Sequence, residues 1–102
     1  MSDEFIIKSD GYPHIDKDPG AKLPYTWDWT VWLANMGSAS IDDATITATG
    51  LTVHGVAQIN GGLVSQVISG GTAGTSYPVT CRVQTNDGLI DDRTIVIDVK
   101  ER

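Results

Sequence analysis

The stretch that decides the fold is Tyr77–Lys100, which reads YPVTCRVQTNDGLIDDRTIVIDVK. Apolar and polar residues alternate in its first half and again in its second half, which is the period of strands with one buried face. Between the halves lies Asn86-Asp87-Gly88, and its glycine suits the left-handed backbone position of a three-residue hairpin loop. Turn chemistry and hydrophobic pattern therefore agree on a β-hairpin.

The loop length sets the register of this hairpin. It places Arg82 opposite Asp92 on the outer face, where an ion pair contributes less than about 1 kcal/mol. Cys81 points into the core and behaves there as a small apolar residue. Arg93 also falls on the inner face, near the hairpin tip, from which its side chain is predicted to reach toward Asp28 or the mouth of the domain.

Composition limits the classes of function. The 102 residues suffice for one domain, and the formal net charge of -6 opposes binding to a phosphate backbone. The sequence contains no apolar run of membrane-spanning length and no signal-peptide pattern. One cysteine cannot form an internal disulfide, so packing must supply the stability. We expect a protein that binds neither nucleic acid nor membrane and that is made in the cytoplasm.

The N-terminal residues differ in character from the rest. Residues 1–20 mix acidic side chains with glycine and proline, a composition typical of an arm. Phe5, Ile6 and Ile7 are the apolar exception, and they are candidates to add an edge strand to this domain or to a neighbouring molecule. A loosely held terminus is the alternative. The predicted division is an N-terminal arm, residues 1–20, followed by one β-domain, residues 21–102.

Four large side chains alternate with polar ones after the arm: Leu23, Tyr25, Trp27 and Trp29. Burial of two tryptophans is enough to seed a core. Adjacent apolar residues at 31–34 break the alternation and predict a short helical turn closed by Gly37. Further strands are predicted over residues 41–49, 51–59 and 63–68. About seven short strands with frequent turn signals predict an all-β, immunoglobulin-like β-sandwich with an N-terminal arm.

Catalytic and metal-binding patterns are weak. His14 and His54 are the only imidazoles able to activate a nucleophile such as Cys81, which the alternation places inside. The acidic pairs at 42–43 and 91–92, together with Asp16 and Asp18, suggest calcium, but neighbouring strand residues point to opposite faces. Outward tryptophans would instead suggest a sugar platform. We predict no enzyme, no catalytic, cofactor-binding or metal-binding residue, and no cofactor.

Three blocks of sequence occur together in a recognisable order. They are Lys17-Asp18-Pro19 with Leu23 and the run DWTVWL at 28–33, the run ISGGTAGTSY at 68–77, and Asp91-Asp92-Arg93-Thr94 before the last strand. This order resembles a family of small tailed-bacteriophage proteins, described as fiber-tail adaptor or neck proteins with an immunoglobulin-like fold. The likeness covers residues 17–102.

The resemblance implies a non-enzymatic structural protein of a phage or prophage particle. Such a protein would lie in the virion at the neck or tail and link portal, neck, tail or fiber proteins. Many copies would act together in a symmetric particle, each associating weakly or staying monomeric when isolated. The alternatives are a capsid decoration (cement) protein and a carbohydrate-binding module.

Exposed segments on a rigid scaffold usually carry binding. The arm and the small, polar connection before Tyr77 fit that description. The predicted protein-binding residues are therefore Phe5, Ile6, Ile7, Gly70, Gly71, Thr72, Ala73, Gly74 and Thr75.

Overall fold

A computed structural model of the chain describes the backbone of residues 6–7 and residues 12–37 and 39–101. These ranges contain eight strands and one short helix. The strands are β1 (Ile6–Ile7), β2 (Pro13–Lys17), β3 (Lys22–Asp28), β4 (Ile41–Ala48), β5 (Thr52–Asn60), β6 (Leu63–Ser69), β7 (Ser76–Thr85) and β8 (Ile90–Val99); the helix is α1 (Thr30–Asn35). In the described ranges no helix is long and apolar enough to cross a membrane.

Two sheets face each other. One has the order β1-β2-β8-β7-β4 and the other has the order β3-β6-β5. Lettered A to G from β2, the strands form an AGFC sheet and a BED sheet, with β2 running parallel to β8 and every other pair antiparallel. An immunoglobulin-type sandwich has this arrangement, in which a sheet with strands B, E and D packs against a sheet with strands C, F and G. The predicted fold class is confirmed.

The β7–β8 hairpin has the predicted register. The backbone N–H of Thr85 donates to the carbonyl of Leu89 at 2.8 Å, and Gly88 adopts φ 89° at the end of the loop. Arg82 lies opposite Asp92 and donates from Nε to Oδ1 at 2.8 Å. Both side chains are exposed, so this ion pair adds little stability.

The core lies between the two sheets. Its buried apolar members are Ile15, Tyr25, Trp27, Trp29, Leu33, Ile41, Val64, Ile68, Val79, Cys81, Val83, Ile95, Ile97 and Val99. Trp29 is fully buried, and its ring meets that of Trp32 edge to face with centroids 5.2 Å apart. The guanidinium of Arg93 lies 4.2 Å from the Trp29 ring centroid and donates to the carbonyl of Asp28 at 2.7 Å, as predicted.

The predicted helical turn is α1. The carboxylate of Asp28 accepts hydrogen bonds from the backbone N–H of Thr30 at 2.9 Å and from its hydroxyl at 2.6 Å, just before the helix. Leu33 is the buried residue of the helix, and Gly37 follows it with φ 77°. One predicted core residue differs, because Leu23 near the start of β3 is 39% exposed.

The range predicted as an arm contains β1 and β2. The backbone of β1 pairs with the start of β2. Ile15 of β2 is only 2% exposed and belongs to the core. The parallel pairing of β2 with β8 extends the larger sheet by one strand. The prediction for residues 1–5 and 8–11, and for the side chains of Ile6 and Ile7, lies outside the described residues.

Candidate functional site

The loop at 70–75 connects β6 to β7 and carries six of the predicted binding residues. The backbone N–H of Gly74 donates to the carbonyl of Val99 at 2.8 Å, and the N–H of Val99 donates to the carbonyl of Thr75 at 3.0 Å. Residues 72–75 are nevertheless exposed. The loop therefore presents an exposed tip on a base held by backbone hydrogen bonds.

Tyr77 fixes the base of this loop. Its hydroxyl accepts a hydrogen bond from the backbone N–H of Thr72 at 2.9 Å, which lowers the pKa of the phenol. A tyrosine near the start of strand F, here β7, that bonds to the preceding backbone is the tyrosine corner of immunoglobulin-like domains. Its ring leaves no space beside Gly50, where a Cβ would lie 2.6 Å from Cε1.

Lys17 closes the same end of the sandwich. Its side chain is fully buried, and Nζ donates to the carbonyls of Asp18 at 2.8 Å and Gly70 at 2.7 Å. Burial lowers the pKa of this ammonium. The first motif block is thereby bonded to the second, so both contribute to the scaffold that holds the loop.

Three hydrogen-bonded polar side chains cross three strands of the larger sheet, with His14 and Asp98 buried and Ser76 exposed. Nδ1 of His14 donates to Oδ2 of Asp98 at 2.9 Å, and the Ser76 hydroxyl donates to Oδ1 at 2.5 Å. Because the carboxylate lies between the other two groups, the imidazole does not activate this serine. The sequence did not predict the hydrogen bond between His14 and Asp98, because these residues are 84 positions apart and only the β2–β8 pairing brings them together.

The other imidazole also lies on an outer face. Nε2 of His54 is 2.6 Å from the Ser69 hydroxyl, a geometry that a nucleophile and a base share. No described residue forms a hydrogen bond with Nδ1 of His54, so this pair lacks the orienting third group of a triad. Cys81 lies in the core between the sheets, on the inner face of the larger sheet.

We predict that Cys81 lowers the stability of the fold at alkaline pH. Burial raises the pKa of its thiol from 9.0 to about 11. The folded protein therefore retains a proton that the unfolded chain loses above pH 9, and stability falls as pH rises toward 11. Between pH 8 and pH 10, this group should remove about 1 kcal/mol of unfolding free energy.

Urea unfolding of wild type and Cys81→Ala at both pH values measures this loss. The difference in unfolding free energy between the two proteins should shrink at pH 10, because other titrating groups contribute equally to both. A difference that stays constant would contradict the raised pKa.

In each acidic pair, a carboxylate oxygen accepts a hydrogen bond from the backbone N–H of the next residue. Oδ1 of Asp43 accepts the N–H of Ala44 at 3.0 Å, and Oδ1 of Asp91 accepts the N–H of Asp92 at 2.8 Å. Among the residues with described positions, no group of three or more possible metal ligands converges.

The tryptophans of β3 and α1 do not form a flat exposed platform. Trp27 is 4% exposed and Trp29 is 0% exposed, while Trp32 is partly buried against Trp29. These indole rings contribute to the core instead of stacking against a ligand.

Comparison with known proteins gives a match that spans the three sequence blocks described above. No curated protein matches the chain. The model of one family, described as podophage GP4 fiber-tail adaptor protein gp77, matches residues 17–98. That span begins at the buried Lys17 and ends at the buried Asp98, and it includes the tyrosine corner. The resemblance is confirmed, and the chain belongs to the podophage GP4 fiber-tail adaptor protein gp77 family.

Proposed function

We propose that this chain is a non-enzymatic structural adaptor that joins other virion proteins at the tail or neck of a phage particle. The observation that carries the proposal is the family match over residues 17–98. It is supported by the tightly packed interior, which leaves outer surfaces, sheet edges and loops for binding. The partners that the family name indicates are fiber and tail proteins.

Two segments are proposed to make contacts. The loop at 70–75 exposes Thr72, Ala73, Gly74 and Thr75 on a base fixed by the tyrosine corner, so binding costs little ordering entropy. The N-terminal segment includes β1 at the edge of the larger sheet, where a strand of a partner can be added. Repetition of these contacts over many copies in a symmetric particle would raise the overall affinity.

Deletion of residues 1–11 tests the N-terminal contact. The cut leaves β2 intact, including the buried His14 and Ile15, so the domain should still unfold cooperatively. Purified protein is added to a lysate of a phage strain that lacks the gene, and its copies per purified particle are quantified by mass spectrometry. We expect the deletion, and separately Ala73→Asp in the loop, to lower incorporation at least 10-fold.

Val56→Asp is the control variant for both changes. Val56 is 79% exposed on β5, outside both proposed segments, so its incorporation should match that of wild type. Equal incorporation of all variants would remove these two segments from the binding model. Absence of wild-type protein from the particles would contradict the adaptor role, and labelled protein spread over the head would identify a decoration protein instead.

A further inference from the structure

Exposed apolar side chains concentrate at the end of the sandwich opposite the 70–75 loop. We define the α1 end as α1 with its following turn, the β5–β6 turn at 60–62, the β7–β8 turn at 86–88, and the strand residues that flank these segments. Nine large apolar residues are exposed in the described chain, and six lie at this end: Val31, Met36, Ile59, Leu63, Leu89 and Ile90. Val31 is the most exposed of the six, at 74%.

Backbone hydrogen bonds hold the segments of the α1 end together. The N–H of Trp29 donates to the carbonyl of Gly62 at 2.8 Å, which ties the start of the helix to the β5–β6 turn. The N–H of Asn86 donates to the carbonyl of Ser40 at 2.9 Å, and its side-chain oxygen accepts the N–H of Ser40 at 3.1 Å. The surface is therefore preformed, which lowers the entropy cost of docking.

Negative charge surrounds these apolar side chains. Six exposed aspartates lie at the strand ends and turns of this end: Asp28, Asp42, Asp43, Asp87, Asp91 and Asp92. Two cations lie near them, but Arg82 pairs with Asp92 and Arg93 lies over the Trp29 ring. The hydroxyl and N–H of Thr30 lower the pKa of Asp28, which keeps that carboxylate ionised.

We infer that the α1 end is a further docking surface, which binds a virion protein whose contact patch has an apolar centre ringed by lysine or arginine. The inference rests on the proposed adaptor function. Electrostatic complementarity selects a basic partner and opposes a second copy of this acidic surface. The ten residues of β7 separate this end from the 70–75 loop by about 30 Å, so two partners can bind at once.

A matched pair of substitutions tests the inference. Val31 and Val56 are 74% and 79% exposed, and each becomes aspartate in one variant. Val31→Asp places a carboxylate in the first turn of α1, where negative charge is tolerated, so folding is preserved. Each purified variant is added to a lysate of the gene-deleted phage, and the composition of the purified particles is measured by mass spectrometry.

We expect Val31→Asp to lower, at least 10-fold, either the copies of this protein per particle or the copies of the component added after it. Val56→Asp should lower neither. Asp42→Lys should have the same effect as Val31→Asp, and raising the salt from 0.05 to 0.5 M should weaken wild-type docking, because exposed charges are screened.

Three results would overturn the inference. If particles with Val31→Asp match wild type in the copies of this protein and of the component added after it, the α1 end is not a docking surface, and the adaptor function is unaffected. A wild-type dimer in sedimentation that Val31→Asp dissociates would make a second copy the occupant. Wild-type protein that never joins the particle would contradict the adaptor function itself, and the α1-end inference with it.

Discussion

Replacing Trp29 with alanine should lower the free energy of unfolding by about 3–5 kcal/mol. The side chain is 0% exposed, its ring meets Trp32 at 5.2 Å between centroids, and the guanidinium of Arg93 lies 4.2 Å from its centroid. The substitution therefore removes a large apolar volume, an aromatic pair and a cation–π contact at once. A small domain has only about 5–15 kcal/mol of stability, so the variant should be close to unfolding at 37 °C.

Urea unfolding followed by circular dichroism measures this loss. Val31→Ala, two residues along and 74% exposed, is the matched control, and it should stay within about 0.5 kcal/mol of wild type. Trp29→Phe should recover more than half of the loss, because phenylalanine restores most of the buried aromatic volume. A loss below 1 kcal/mol for Trp29→Ala would show that the core does not depend on this ring.

The elements that the sequence predicted correctly depend on neighbours in the chain. The β7–β8 hairpin follows from alternation and a three-residue loop, so its register and the Arg82–Asp92 pair could be predicted together. The break in alternation after Trp29 likewise predicted α1. Burial of Trp27 follows from period two in a strand with one wet face, and Trp29, just beyond the end of β3, continues the same alternation.

Contacts between distant segments could not be predicted in this way. The parallel pairing of β2 with β8 joins the two ends of the chain, and no turn specifies it. Burial of the Lys17 ammonium is unusual for lysine, and it depends on the carbonyl of Gly70, 53 residues away. The buried hydrogen bond between His14 and Asp98 has the same origin.

The candidate site was partly predictable for the same reason. Glycine and small polar residues indicated an exposed loop at 70–75, and residues 72–75 are exposed. Composition did not reveal that the hydroxyl of Tyr77 and the end of β8 fix this loop. The exposed apolar residues of the α1 end carry no local signal, because strand and helix periodicity does not distinguish a buried apolar residue from one at an open end.

Alanine substitutions at Gly71 and Gly74 distinguish the energetic cost of close packing from the cost of backbone strain. Gly71→Ala should lower the free energy of unfolding by about 2–4 kcal/mol, because a Cβ would lie 2.7 Å from Cγ2 of the buried Val99 and 2.9 Å from Cδ2 of Leu51. Gly74→Ala should cost only about 1 kcal/mol, because nothing lies within 4 Å of its Cβ position.

The comparison isolates packing because the backbone conformations are alike, with φ 97° at Gly71 and 86° at Gly74. Strain from a positive φ therefore nearly cancels between the two variants, and the remaining difference of about 1–3 kcal/mol reports the crowding beside Val99. Thermal and urea unfolding of both proteins measures it. Equal losses would mean that Gly71 serves only its backbone conformation. A larger loss at Gly71 would show that the absence of a side chain there allows the loop to pack against Tyr77 and the end of β8.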